Sequence, residues 1–145
     1  MSTVRRSKTF DIDLYVHDGT ALTASASGTV DSAAVVIDLG SGFVDADLIL
    51  DVSALDVDDG DENVLVQIMM SDTEIATEKY CQTQFQIGDS AAIAGDVDRT
   101  TGRYVIPFNN LIEDGTNKRY MHLYFTLAGT FTAFTATGYI AKKPS

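Results

Sequence analysis

This chain of 145 residues has no tryptophan, one cysteine, two prolines and two histidines. Each scarcity excludes something. A single cysteine, Cys81, cannot close an internal disulfide. The missing tryptophan argues against carbohydrate sites, which use broad aromatic faces. With only His17 and His122 available, and no Gly-x-Ser-x-Gly elbow, Gly-x-x-x-x-Gly-Lys phosphate loop, Cys-x-x-Cys pair or dinucleotide fingerprint, the usual catalytic arrangements are absent. No segment approaches the ~20 apolar residues of a membrane helix. The chain is therefore expected to be no enzyme, to need no cofactor and to have no membrane partner.

Positive charge is absent where it would matter for nucleic acid. Between Thr9 and Glu78 there are sixteen acids and no Lys or Arg, within a formal net charge of −11. An acidic body does not wrap a phosphate backbone, so no nucleic-acid partner is expected. The cations gather elsewhere, at Arg5, Arg6 and Lys8, at Lys118 and Arg119, and at Lys142 and Lys143. Residues 1–9 thus form a basic N-terminal arm suited to an acidic partner surface, before a single domain over 10–145. No apolar signal core follows the basic start, an arrangement expected of a chain made in a cytoplasm.

What is present is the pattern of β-strands. Phe10, Ile12, Leu14 and Val16 alternate with Asp11, Asp13, Tyr15 and His17, the period of a strand with one buried and one wet face. The stretch 20–27 is a weaker strand or an extended arm, and Ala33, Val35, Ile37 and Leu39 form another stripe. Ala46, Leu48, Leu50 and Val52 alternate with Asp45, Asp47, Ile49 and Asp51. The run 64–70 is apolar on both faces, which predicts a central strand. The strand 103–108 carries Pro107, which places it at an edge or at a strand end. Residues 109–113 are expected to make a helical turn. The strands 119–127 and 131–140 are expected to pair as a hairpin through Ala128, Gly129 and Thr130. Eight to nine short strands with no helical stripe predict an all-β, antiparallel two-sheet sandwich, jelly-roll-like in its path.

Three groups of residues are candidates for function. Asp56, Asp58, Asp59 and Asp61 crowd a Gly60-containing turn, which is how oxygen ligands for calcium are assembled. The EF-hand spacing fails, because counting back from Gly60 puts Leu55 and Val57 at ligand positions, and a solvated hairpin turn is the plainer alternative. On the strand 119–127, Met121, Leu123, Phe125 and Leu127 form one face. The other face carries Tyr120, His122 and Tyr124 beside Arg119, amphipathic groups suited to a protein interface. The basic arm of Arg5, Arg6 and Lys8 is the third. His17 and His122 are both expected at outward or second-face positions. Cys81 shares a predicted face with Thr83, Phe85 and Ile87, which predicts a buried, inert thiol.

Several segments taken together resemble a known family. They are Val36-Ile37-Asp38-Leu39-Gly40; Val66-Gln67-Ile68 leading to Ser71-Asp72; Ile106-Pro107-Phe108; Lys118-Arg119-Tyr120-Met121-His122-Leu123-Tyr124-Phe125; and Gly129-Thr130-Phe131-Thr132-Ala133. In this order the chain resembles the capsid cement (decoration) proteins of tailed phages, the type carried on the head of a short-tailed Bordetella phage. The resemblance implies a jelly-roll-like fold on the outer capsid surface of the virion. It implies binding across joints of the major capsid protein, association with other copies of itself as a dimer or trimer, and stabilisation of the head against packaged DNA. The acidic turn and the basic arm depart from the family pattern, so the resemblance assigns no interface residues there. A calcium-dependent, lectin-like or adhesion sandwich is the alternative that the residues leave open.

Overall fold

The computed structural model describes residues 14–74, 80–95 and 97–142. Eleven strands follow in chain order: β1 (Tyr15–Asp18), β2 (Ala26–Ser27), β3 (Thr29–Val30), β4 (Ala33–Ala34), β5 (Ile37–Asp38), β6 (Asp45–Leu55), β7 (Asn63–Ser71), β8 (Tyr80–Gly88), β9 (Gly102–Asn109), β10 (Tyr120–Ala128) and β11 (Phe134–Lys142). One sheet has the order β1-β11-β6-β9. The other has the order β2-β10-β7-β8, with β5 also on β10, and β3 pairs with β4 alone. All pairings are antiparallel. No α-helix occurs among the described residues.

The alternation read from the sequence builds the core. Leu48, Leu50 and Val52 of β6 face Val64, Val66, Ile68 and Met70 of β7 and Met121, Leu123 and Phe125 of β10 in one cluster. Phe125 and Phe134 meet edge to face at 5.4 Å. The central position expected for 64–70 is realised, since β7 lies between β10 and β8. Of the two places open to the Pro107 strand, the edge is realised, since β9 closes the first sheet and its proline removes no interior ladder bond.

Other expectations fail for physical reasons. The stretch 20–39 breaks into four two-residue strands, which raises the count to eleven. It is rich in Ala and Ser, small residues that pack a pleated surface poorly, and Asp31 and Ser32 both take positive φ, 53° and 68°. With Val30 paired to Ala33, that is a two-residue turn with both central residues left-handed. Residues 109–113 form no helical turn. Leu111 instead bridges Asn117 across a tight turn closed by the Gly115 N–H on the Ile112 carbonyl.

The expected β10–β11 hairpin does not form either. β10 belongs to the second sheet and β11 to the first, so 129–133 crosses between sheets. The acidic turn 56–62 is likewise a crossover, from β6 to β7, and not a hairpin. The two crossovers lie against each other: a Cβ on Gly129 would sit 2.1 Å from the Asp61 carbonyl oxygen, and Gly129 has φ +101°. Only glycine fits that approach.

Candidate functional site

The acidic turn is the densest group of carboxylates. It brings together Asp56, Asp59 and Glu62, whose carboxylate oxygens lie within 4.8 Å of one another. Glu62 was not singled out from sequence; the three-residue spacing 56–59–62 was its one signal. Asp58 and Asp61 are outside the group. Glu62 is fully buried. Its Oε1 accepts the Asp59 N–H at 2.8 Å, and its Oε2 accepts the Asp61 N–H at 3.2 Å. Asp56 accepts the Asp58 N–H at 2.9 Å and the Thr132 N–H at 3.4 Å. Asp61 reaches Thr130, taking its N–H at 3.0 Å and its hydroxyl at 3.2 Å.

These bonds fix the electrostatics. Accepting the Asp58 N–H and bonding Thr132 hold the Asp56 carboxyl below the usual range. Asp59 goes the other way, raised by desolvation and then by the charges of Glu62, Asp56, Asp61 and Asp58. The turn is therefore chiefly a set of internal caps that ties one crossover to the other. A hard cation would relieve the repulsion at Asp59, and Asp56, Asp59 and Glu62 are the residues able to hold it.

The second group lies on the outer face of the second sheet. Tyr120, His122 and Tyr124 share that face of β10, opposite Ser71, Met69 and Gln67 of β7. Tyr120 and Tyr124 are half-buried. His122 is 1% exposed and Met69 5%, so the middle of this row is closed to solvent and His122 is not a surface group. Arg119 is held by Asp38 through two bonds of 2.8 Å, and its guanidinium lies 5.4 Å from the centre of the Tyr120 ring. That doubly bonded carboxylate raises the Arg119 pKa and keeps the cation fixed. The third group, Arg5, Arg6 and Lys8, lies outside the described residues.

Two β-bulges move other residues from their expected faces. In β1, Tyr15 pairs with Tyr139 and His17 with Gly138, leaving Val16 as an extra residue. Val16 and His17 are consequently both fully buried. The His17 ring accepts the Thr29 N–H on Nδ1 at 3.1 Å, bonds the Thr20 carbonyl through Nε2 at 3.0 Å, and meets Phe125 edge-on at 5.1 Å. In β8, Thr83 pairs with Ile68 and Cys81 with Met69, so Gln82 is the extra residue. The alternation reverses there, and Cys81 is exposed on the outer face instead of buried. The freed Gln82 amide donates to Asn109 Oδ1 at 3.1 Å and to the Leu111 carbonyl at 2.8 Å.

A further feature was not anticipated. Asn110 is fully buried between the end of β9 and the start of β6. Its Oδ1 accepts the Val44 N–H at 2.8 Å, and its amide donates to the carbonyls of Gly42 and Lys118 at 2.9 Å each. Beside it, Phe43 and Leu111 stand 57% and 43% exposed.

Searches against known proteins give no anchor: no family model matches this chain, and no curated protein matches it.

Proposed function

We propose that this chain is a structural virion protein, a capsid cement protein that binds the outer surface of an icosahedral phage head across joints of the major capsid protein. The observation that carries the reading is the convergence of three of the five segments in which the chain resembles that family. Ile37, Ile68 and Met121 to Leu123 are far apart in sequence, yet β5 and β7 both pair with β10 in one sheet. The strand path supports the jelly-roll part of the reading: with β3, β4 and β5 set aside, eight principal strands remain, and successive ones repeatedly change sheets.

The chemistry is in keeping with a scaffold. The carboxylates of Asp56, Asp61 and Glu62 are engaged in holding loops, and Arg103, Lys118 and Arg119 each sit in an ion pair. Contacts at a joint need only be weak, because a shell repeats them by symmetry. The test is cosedimentation of the purified chain with mature heads and with empty precursor shells. Saturable binding at a fixed ratio to the capsid subunit is expected. Absence of binding by well-folded protein, together with heads that survive heating equally with and without it, refutes the role.

The grouping of Asp56, Asp59 and Glu62 favours one second reading, a calcium-dependent adhesion or lectin-like module. That reading requires millimolar calcium to raise the melting temperature and EDTA to reverse the rise.

A further inference from the structure

His17 is fully buried, and its two ring nitrogens face partners of opposite kind. The Thr20 carbonyl can only accept, so Nε2 carries the hydrogen of the 3.0 Å bond between them. The Thr29 N–H can only donate, so Nδ1 is bare where it takes that bond at 3.1 Å. Together the two bonds fix a neutral ring with its hydrogen on Nε2. A further proton has one place to go, Nδ1. There it sets a ring N–H against the Thr29 N–H, and two donors face each other where a bond had been.

What that bond holds is the β3–β4 hairpin, whose strands pair only with each other. The chain before it is anchored through its backbone. Leu22 exchanges two bonds with Phe134, Ala26 and Ser27 pair with β10, and the Gly28 N–H donates to the Leu123 carbonyl at 2.8 Å. From Thr29 to Ala34 the described hydrogen bonds to the body come instead from two side chains of β1. His17 Nδ1 takes the Thr29 N–H, and Asp18 Oδ2 takes the Asp31 N–H at 2.9 Å. The hairpin buries little of its own. Asp31, Ser32, Ala33 and Ala34 are all exposed, and the first two hold left-handed backbone. Short segments with few buried apolar contacts are the ones that open locally while the core stays formed.

We propose that His17 is an acid-operated latch: with its ring neutral the β3–β4 hairpin is closed on β1, and protonation of the ring frees the hairpin while both sheets stay formed. The surroundings set the direction. Asp18 is the charge acting on the ring, and Asp31 is the other acid of this turn. β10 presents Phe125 to the ring and keeps Tyr120, His122 and Tyr124 on its outer face. β11 presents Gly138, while Tyr15 and Tyr139 pack with Ile49. Burial lowers the pKa of the closed ring, whereas a freed ring titrates near the ordinary value of about 6.5. Opening therefore takes up a proton, and acid favours it. Asp18 resists. The Thr20 hydroxyl and the Asp31 N–H hold its carboxyl below the usual range, so its tie lasts through the histidine window and fails only in stronger acid. The latch goes beyond the capsid reading and operates in the free chain, so heads are not needed to test it.

The experiment is amide hydrogen exchange on the full chain, read residue by residue by NMR from pH 7.5 to 5.5 and corrected for the intrinsic rate. The Thr29 and Asp31 amides report the hairpin. Their opening is expected to rise roughly tenfold over that range, the factor a freed ring of pKa about 6.5 supplies while the closed ring stays neutral. The Ile68 amide of the central strand β7 is released only by global unfolding and is expected to exchange at least about a hundredfold more slowly throughout. His17→Gln does not titrate and is expected to flatten the rise at Thr29 to within about twofold. Nitrogen shifts of the wild-type ring at pH 7.5 are expected to place its hydrogen on Nε2, a reading that needs no variant to fold. Thr29 opening that does not change with pH, a Thr29 amide as slow as that of Ile68, a His17→Gln chain that keeps the rise, or a ring with its hydrogen on Nδ1 each overturns the proposal.

Discussion

Replacing His17 tests the bulge in β1 most directly. The ring links the edge of the first sheet to the turn before β3, accepting from Thr29 N–H and bonding the Thr20 carbonyl, and its edge rests on Phe125. His17→Leu keeps similar bulk but strands one N–H and one carbonyl. Each stranded group costs about 1–3 kcal/mol when buried; both sites are only partly buried, so a total of about 2–4 kcal/mol is expected. For a chain of this size that lowers the melting temperature by roughly 6–15 °C. His17→Gln, which can still donate to Thr20, should lose about half as much. The same ring predicts a pH dependence. Burial pushes the His17 pKa down, and the Thr20 carbonyl and the Asp18 carboxylate oppose this without prevailing. The unfolded chain therefore takes up a proton near pH 6.5 that the native chain resists. Stability is full above that pH and falls as pH drops below it, by at most ~1.4 kcal/mol per unit, until the native ring itself protonates. Thermal melts of wild type and His17→Gln from pH 7.5 to 5 isolate this effect, because His122 and the carboxylates are common to both. A difference curve that is flat over that range, or a His17→Leu melting point within 2 °C of wild type, would refute the reasoning.

Three further outcomes follow from other sites. Gly129→Ala forces a Cβ against the Asp61 carbonyl at a positive φ and should cost about 2–4 kcal/mol in denaturant titration, where Gly40→Ala, with open space around it, should cost only the left-handed penalty of about 1 kcal/mol. Asn110→Ala removes three hydrogen bonds from a buried hub and should cost about 2–4 kcal/mol, while loosening the loop that carries Phe43 enough to raise its amide exchange. Cys81 should react with a maleimide in the native state at a rate close to that of the urea-unfolded chain; protection by more than about a hundredfold would mean that the bulge at Gln82 is absent.

The sequence by itself determined the all-β class, the inward stripes of β6 and β10, the central place of β7, and for β9 a choice between a sheet edge and a proline at the strand end. These are local matters: a period of two selects a face, two apolar faces require neighbours on both, and a proline cannot donate to an interior ladder. Tertiary structure decided the rest. Whether Gly129 turned β11 back onto β10 or carried it to the other sheet depended on partners ~70 residues away, Leu55 and Asp61, which no local pattern encodes. One extra residue at Val16 and one at Gln82 reversed the faces of His17 and Cys81, because register belongs to a pair of strands and not to either alone. The acidic turn was legible as a cluster of acids. That Asp56 and Asp61 reach Thr132 and Thr130, and that Glu62 folds back on its own loop, followed only from two crossovers lying side by side.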